Sequence, residues 1–507
     1  MNLRSRNFII TFFFASVISF LFFLTRSAEY ISRNFIFILD QGRDYVFVRD
    51  LVLNKKITLI GSEIGGGFAG FQGIFQGPFH FYFLSVFYVL FKGNPYGGLI
   101  YMGLFAVLSV ITAYVLGKKV FGNFYGLILA FLVTVSPPLI AQAKFVWNPY
   151  PITFFLLLAF LFVYLSLKKQ PKHILLAGFF SAFTYNFEIA TTVPLLVSLV
   201  LFYIFVAKLR KIKEYVYLFA GIIAGVLPFL LFEVRHGFNA LTGFFSYMSS
   251  FGNEKDYGLI NNRLDRFLYN FNDTFPHQNF LPELSLLIVF AGAILILVMR
   301  EKRIEIKKML IFLGILISVT IFIFSFLRNT IFMYYFYQLN LVYIFIFTYI
   351  IYGARVQKKY ILQLIFGFLL ITFAFLAYKT GVRDFKNDLS DRNAFQKIKG
   401  KTDAVNYIYN DAGNIPFGLF IFAPTVYTYP YDYLFWLKGK NYKNVPSQDK
   451  NGLFYLLIEV DRDQPWTYKG WLETVIKEGT VIEEKTLPSG LIIQKRCGSR
   501  CPLQIGI

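Results

Sequence analysis

The sequence predicts an all-α polytopic membrane domain of about eleven transmembrane helices with outer interfacial helices, followed by a small extracytoplasmic α/β domain. Hydrophobic residues make up 56% of the 507 positions and charged residues only 16%, whereas a soluble chain carries about 25% charged residues. Apolar runs of about 20 residues, the length of a transmembrane helix, recur over residues 1–380. From residue 381 to 507, short strand-like runs in a polar context replace them.

One of the apolar segments is too short to cross a bilayer. Segment 79–91 has 13 residues, or about 20 Å of helix, against a hydrocarbon core of about 30 Å. We therefore expect it to lie flat in the outer interface at the end of the first loop, 26–92. The eleven predicted spans are 8–25, 98–116, 124–142, 151–167, 174–188, 190–207, 215–232, 283–299, 308–327, 331–353 and 360–378.

The distribution of basic residues predicts the orientation of these spans. With the N-terminus in the cytoplasm, the short inner loops total 36 residues and hold 19 Lys or Arg, whereas the long outer loops 26–78 and 233–282 total 103 residues and hold ten. This asymmetry follows the positive-inside rule, and it would be lost if segment 79–91 crossed the membrane. The net charge of +21 therefore indicates topology in a multi-pass plasma membrane protein and not a nucleic-acid partner.

The C-terminal domain has its own pattern of elements. We expect a polar helix near 391–410, strands at 417–423 and 452–460, and a hairpin that turns at Pro488-Ser489-Gly490. The two cysteines, Cys497 and Cys501, leave open either a small disulfide loop outside the cell or two free thiols. No ligand spacing in the sequence predicts a metal site.

A group of charged residues follows the first span. Asp40, Arg43, Asp44, Arg49 and Asp50 are spaced so that they could form ion pairs on a helix face, and for Arg49 and Asp50 we favour this structural role. Asp40 differs because it directly follows the apolar run FIFIL, where a carboxylate at a membrane boundary is costly unless it is used.

Other polar residues are also predicted at the outer face. A glycine-rich segment at 61–77 lacks the spacing of a nucleotide-binding loop. Glu63 lies near its start and His80 follows its end. A histidine in an aromatic helix is more often packed than a ligand. The basic residues here either bind an anionic headgroup or make ordinary lipid contacts. The outer-face residues at span ends are Asn148, Glu188, Arg235, His236, Arg328 and Tyr334.

Five short motifs occur in order along residues 8–380: DQGRD, GPFHFYF, GKKVFG, WNPY and FEVRHG. With these motifs the chain resembles the GT-C superfamily of membrane glycosyltransferases, in the branch that contains the lipid A aminoarabinose transferase and the protein O-mannosyltransferases. The resemblance implies a polyprenyl-phosphate-linked sugar as donor, used outside the cytoplasm. The acceptor hydroxyl would belong to an unidentified glycan, lipid or protein.

The resemblance also implies roles for individual residues. Asp40, the first acid of the motif, would be the base that deprotonates the acceptor for an inverting, in-line attack. Gln41 stands where relatives often have a second acid, which argues against a two-carboxylate metal site; a divalent cation that helps hold the phosphate stays open. The candidate donor-phosphate ligands are Arg43, Arg235, His236 and Arg328, and the candidate sugar or acceptor ligands are Asp44, Glu63, His80, Asn148, Glu188 and Tyr334.

Two other functions are alternatives to sugar transfer. A lipid or polysaccharide transporter would need ionisable groups near the middle of the membrane, and the predicted spans hold few. A membrane scaffold whose outer domain binds a partner would tolerate replacement of Asp40 and Arg43.

Overall fold

The computed structural model contains a long helical region and a small mixed domain at the C-terminal end. The structure describes residues 3–64, 73–168, 171–238, 242, 258–276, 283–326, 331–390, 394–424, 426–440, 442, 444–461 and 463–501.

Every one of the eleven predicted spans contains a helix, and the short segment 79–91 forms a helix of its own. The helices up to residue 390 are α1 (Leu3–Arg26), α2 (Ala28–Ser32), α3 (Leu39–Leu53), α4 (Phe79–Leu90), α5 (Tyr96–Phe121), α6 (Asn123–Val135), α7 (Pro137–Ala141), α8 (Ile152–Ser166), α9 (Pro171–Phe183), α10 (Ile189–Leu201), α11 (Ile212–Gly225), α12 (Leu227–Arg235), α13 (Gly258–Asp273), α14 (Glu283–Val298), α15 (Ile304–Ser325), α16 (Tyr337–Val356) and α17 (Tyr360–Ser390).

Within the described ranges, five helices are long and apolar enough to cross a membrane, or six when the bent pair α11 and α12 counts as one span. That pair bends by 71° just before Pro228, and the predicted span 124–142 is divided where Pro137 begins a new short helix. Proline lacks the backbone N–H that continues a helix, so both breaks follow from the sequence. Helix α17 continues past the expected domain boundary at 380.

The C-terminal domain has the predicted α/β composition. Its helices are α18 (Ile398–Ala412), α19 (Tyr429–Gly439) and α20 (Thr467–Trp471), and its strands are β1 (Phe417–Phe422), β2 (Leu453–Ile458), β3 (Thr480–Thr486) and β4 (Ile492–Cys497).

These strands form one sheet in the order β1-β2-β4-β3. β1 runs parallel to β2, with Phe417 opposite Leu453, and the predicted hairpin pairs β3 with β4 antiparallel. All six residues of β2 are buried, as expected for a central strand in a mixed sheet. Cys497 and Cys501 form a disulfide at the end of β4.

The C-terminal domain is docked directly on α3, the helix that contains the DQGRD motif. Pro430, at the start of α19, lies so close to Gly42 that a β-carbon on Gly42 would come within 2.6 Å of Pro430 Cα. The rings of Tyr45 and Tyr433 pack 5.1 Å apart a little further along the two helices. The sequence did not predict α19, and this contact explains why the motif has a glycine at position 42.

A cluster of ion pairs makes a second connection between the two regions. Lys144 Nζ lies 2.8 Å from Asp388 Oδ2 and 3.2 Å from Glu29 Oε1, and Asp388 Oδ1 lies 3.4 Å from Lys397 Nζ. Because these residues come from α2, the segment after α7, the end of α17 and the start of the C-terminal domain, the cluster holds those chain segments together.

We predict that Gly42→Ala weakens the docking of α19 on α3. The added methyl group has no space beside Pro430, and overpacking of this kind costs about 1–3 kcal/mol. Thermal unfolding in detergent should therefore show a lower midpoint than wild type. Gly367→Ala is the matched control, since a β-carbon there meets nothing within 4 Å; equal midpoints for the two variants would contradict the close contact.

Candidate active site

A cavity of about 430 Å³ lies where the start of α3 meets four loops of the helical region and one loop of the C-terminal domain. We call it the active-site cavity. It is lined by Leu39, Asp40, Arg43, Ser62, Glu63, Ile64, Gln76, Trp147, Asn148, Pro149, Glu188, Tyr334, Tyr335, Tyr427 and Tyr429.

The guanidinium group of Arg43 is held between two carboxylates at one wall of this cavity. Its Nη1 lies 3.0 Å from Asp40 Oδ1, and its Nη2 lies 2.8 Å from Asp44 Oδ1. Arg43 Nε also donates to Asp44 Oδ1 at 3.0 Å, and Nη2 donates to Ser62 Oγ at 3.2 Å. A planar guanidinium with several donors suits this arrangement better than an ammonium would.

The two carboxylates have different surroundings. The Asp40 side chain is 36% exposed and lines the cavity, whereas the Asp44 side chain is fully buried. Burial raises the pKa of the Asp40 carboxyl above its usual value, although Arg43 opposes this. Burial alone would also raise the pKa of Asp44, but Arg43 and His80 hold it below its usual value. Asp44 is thus held as an anion that fixes Arg43, whereas the Asp40 carboxyl is open to the cavity.

Asp44 and His80 lie behind the cavity wall and not in it. His80 Nε2 lies 3.2 Å from Asp44 Oδ2, and the Tyr101 hydroxyl lies 3.5 Å from His80 Nδ1. All three side chains are buried. Because both side chains are buried, neither Asp44 nor His80 is exposed to a sugar or acceptor in the cavity. Asp44 instead binds Arg43, and His80 binds Asp44.

Gln41 holds the start of α3 against the WNPY segment. Its Oε1 accepts a hydrogen bond from the backbone N–H of Ile38 at 3.0 Å, and its Nε2 donates to the Val146 carbonyl at 2.7 Å. A carboxylate at this position could accept but not donate. The residue that replaces the second acid of related motifs thus has a positioning role, and Asp40, in the first turn of α3, benefits from the partial positive charge at the helix N-terminus.

Another part of the lining comes from the segment that follows α7 and from the turn Met333–Phe336 that precedes α16. The Asn148 amide donates to the side chain of Gln76 and, at 3.2 Å, to the Phe187 carbonyl. The Trp147 and Tyr334 rings pack edge to face, 4.7 Å apart. Trp147 also lies beside Asp40 in the lining, and its side chain lowers the pKa of that carboxyl against the effect of burial.

The two glutamates expected near the sugar both line the cavity. Glu63 accepts a hydrogen bond from the Gly73 N–H at 2.8 Å, and Glu188, at the start of α10, accepts one from the Ala190 N–H at 3.1 Å. Glu188 is buried. The remaining carboxylate lone pairs are oriented by these contacts and can accept hydrogen bonds from ligand hydroxyls.

The structure does not bring Arg235 or His236 to the cavity. Arg235 and His236 are exposed at the end of α12, where the His236 ring stacks on Phe232 at 4.1 Å. Arg328 lies outside the described residues. Among the described residues that line the cavity, Arg43 is the single cation, and the described part of the chain contains no group of three His, Cys, Asp or Glu that could hold a metal ion.

Several lining residues were not predicted from the sequence. Ser62 and Gln76 neighbour predicted residues, so proximity in sequence was a signal for them. Tyr427 and Tyr429 come from the C-terminal domain, and their rings stack 5.5 Å apart with an angle of 6° between planes. Nothing local in the sequence marks this pair, because its position depends on the docking of α19.

Comparisons with known proteins support the resemblance that the five motifs predict. Residues 76–232 match the family model described as dolichyl-phosphate-mannose-protein mannosyltransferase.

Two solved structures are similar over nearly the whole chain. ArnT from Cupriavidus metallidurans bound to undecaprenyl phosphate aligns with a TM-score of 0.57 and 11% identity, covering 98% of this chain and 99% of that one. The apo state of the same protein aligns with a TM-score of 0.58 and 11% identity, covering 99% and 100%. At this identity the similarity shows a shared fold. A comparison with curated protein sequences gave no match.

We predict that Gln41→Glu destabilises the protein at pH 8 by about 1–3 kcal/mol, since a buried carbonyl loses its donor. The substituted carboxyl, once protonated, can again donate to Val146. Because burial raises its pKa in the folded state, the loss should be full above that pKa and shrink as the pH falls. Thermal unfolding of wild type and variant between pH 8 and pH 5 measures this. Gln396→Glu, at an exposed position, is the control; a pH-independent loss would contradict the assigned hydrogen bond.

Proposed function

We propose that the protein is a glycosyltransferase that moves a sugar from a polyprenyl-phosphate carrier to an acceptor hydroxyl on the outer face of the membrane. The observation that supports it most strongly is the cavity in which a partly open carboxylate, Asp40, and a fixed guanidinium, Arg43, lie side by side. Such a pair matches the two needs of the reaction, which are a base for the acceptor and a cation for the leaving phosphate.

The proposed step is a single displacement at the anomeric carbon. The acceptor oxygen attacks this carbon in line, its proton passes to Asp40, and the bond to the phosphate oxygen breaks with the electron pair leaving on the phosphate. The configuration of the sugar is inverted. A carboxyl with a raised pKa suits general-base catalysis better than an ordinary surface aspartate, because a base is most effective when its pKa is close to the working pH.

Arg43 would bind the phosphate of the donor. Its Nε and Nη2 are fixed by the buried Asp44, whereas Nη1 contacts Asp40 at the cavity wall. When the donor phosphate takes the place of Asp40 beside Nη1, Asp40 loses its cation and becomes a stronger base. The negative charge that develops on the phosphate meets a guanidinium that is already oriented, which is the main way in which enzymes stabilise such charge.

Glu63, Asn148, Glu188 and Tyr334 would then contact the hydroxyl groups of the sugar or the acceptor. They line the same cavity as Asp40. Arg235, His236 and Arg328 are left as candidate contacts for the lipid headgroup. The carrier is proposed by analogy with the structural relative bound to undecaprenyl phosphate. The basic inner loops support a cytoplasmic N-terminus and a C-terminal domain on the outer face.

We predict that Asp40→Asn lowers the rate of sugar transfer by about a hundredfold or more, since the amide cannot accept the acceptor proton. The measurement is transfer of radiolabelled sugar from a panel of polyprenyl-phosphate sugars by protein in lipid. Asp50→Asn is the matched control, because Asp50 lies on the same helix, is half exposed, pairs with Arg49 and does not line the cavity. Equal transfer by wild type and Asp40→Asn would overturn the assignment.

The pH dependence of kcat/KM tests the same residue. Because burial raises the pKa of Asp40, the acidic limb of the pH profile of kcat/KM should lie above the usual aspartate pKa of about 3.9. Arg43 opposes that shift, so in Arg43→Gln the remaining activity should fall at a still higher pH. An acidic limb that stays in place or moves to lower pH would contradict the ion pair.

A further inference from the structure

A second cavity, of about 690 Å³, lies in the C-terminal domain between β1 and α19. We call it the tryptophan cavity. Its lining includes Phe420, Asp432, Trp436, Gln448 and Trp471, and its volume is in the range of small-molecule sites.

The two cavities share one wall. Tyr427 and Tyr429 line the active-site cavity, whereas Thr428, which lies between them in the sequence, and Asp432, three residues further on, line the tryptophan cavity. A ligand that extends past this short segment would contact both cavities. The segment begins after Ala423 at the end of β1 and leads into α19, so it also joins the sheet to the helix that docks on the DQGRD motif.

Hydrogen bonds within the C-terminal domain hold the segment that forms the shared wall. Tyr431 donates a hydrogen bond to Glu459 Oε2 at 2.7 Å, and the buried Lys401 ammonium lies 2.8 Å from the same oxygen. Lys401 also donates to the Tyr431 hydroxyl at 3.1 Å. Together with the contact of Pro430 and Gly42, these bonds hold the start of α19, which lies between the linings of the two cavities.

The lining chemistry of the tryptophan cavity favours a carbohydrate. A sugar ring has apolar C–H faces and hydroxyl groups around its edge, so flat aromatic rings cover the faces while carboxylates, amides and ammonium groups bind the edge. Here Trp471 and Phe420 supply rings, and Asp432 and Gln448 supply polar groups to the same lining. Lys440 also lines the cavity, with its ammonium 3.8 Å from the Trp436 ring centroid. Thr428 donates to Asp432 Oδ2 at 2.9 Å, which leaves the other carboxylate oxygen for a ligand.

An extended peptide fits this cavity less well. Peptides commonly bind by adding a strand to a free sheet edge, but the outer edge of β1 is already used. The Leu419 N–H donates to the Ser447 carbonyl at 2.9 Å, the Ser447 N–H donates to the Phe417 carbonyl at 3.0 Å, and the Gln448 amide reaches the Leu419 carbonyl at 3.4 Å. The backbone of this edge therefore has few groups left for a peptide.

We propose that the tryptophan cavity binds the glycan part of the acceptor, so that the acceptor is an oligosaccharide of at least two sugar units. The unit that receives the new sugar lies in the active-site cavity beside Tyr427 and Tyr429. The next units cross the shared wall and stack on Trp471. This inference rests on the proposed transfer function and names the acceptor class for it.

The test is binding of the full-length protein in lipid nanodiscs to an array of immobilised oligosaccharides, from monosaccharides to hexasaccharides. Wild type should bind a subset of the longer glycans. Trp471→Ala should weaken that binding by at least about tenfold, the usual effect of removing an aromatic anchor. Trp466→Ala is the matched control, because Trp466 precedes the same short helix, is 63% exposed and does not line the cavity.

Asp432→Asn is a second variant that leaves the packing around Trp471 unchanged and should also weaken glycan binding. Asp50→Asn should bind the array as wild type does, since Asp50 lines neither cavity. Absence of glycan binding by wild type, equal binding by wild type, Trp471→Ala and Asp432→Asn, or binding of an extended peptide library in place of glycans would overturn the inference.

The transfer assay with the panel of polyprenyl-phosphate sugars separates this inference from the proposed function. If release of labelled sugar from the donor depends on Asp40 but the array shows no bound glycan, the glycan inference fails and the transferase assignment stands. In a transfer assay with a glycan identified on the array, Trp471→Ala should raise the KM for that acceptor with little change in kcat, whereas a defect in the catalytic step would lower kcat.

Discussion

The pairing of Arg43 with Asp40 and Asp44 is the interaction on which the rest of the site depends. A fully buried aspartate is tolerated only where cations and donors satisfy it, and leaving one member of a buried pair alone typically costs about 3–5 kcal/mol. Asp44 therefore requires Arg43 and is further supported by His80. In return, Asp44 fixes the guanidinium at the cavity wall, where the remaining nitrogen contacts Asp40. We propose that the donor phosphate replaces Asp40 at this nitrogen.

The C-terminal domain is part of the site and not only a cover for it. Pro430 rests on Gly42 of the DQGRD motif, and Tyr427 and Tyr429 line the cavity that Asp40 faces. The same segment forms a wall of the tryptophan cavity. The position of α3 and the position of the segment that lines both cavities are therefore coupled, because a displacement of α19 would disturb both.

The sequence predicted those features that depend on local pattern. Strands β1, β2 and the hairpin were predicted from short β-rich runs and a Pro-Ser-Gly turn. Asp40 was singled out because a carboxylate that follows an apolar run at a membrane boundary is energetically costly. The sequence favoured packing over ligand contact for His80 but kept it as a candidate ligand, because its place behind the cavity wall depends on the rotation of α4. The sequence did not predict Tyr427 and Tyr429, because almost 390 residues separate them from Asp40 and only the docking of α19 brings them together.

The central claim is that Asp40 acts as a base in a single displacement at the anomeric carbon. The most direct measurement compares the anomeric configuration of the sugar in the donor and in the transfer product by NMR. The account predicts inversion, since one in-line attack by the acceptor oxygen reverses the configuration. Retention would contradict it, because two successive displacements would then be required and Asp40 would act as a nucleophile or in another role.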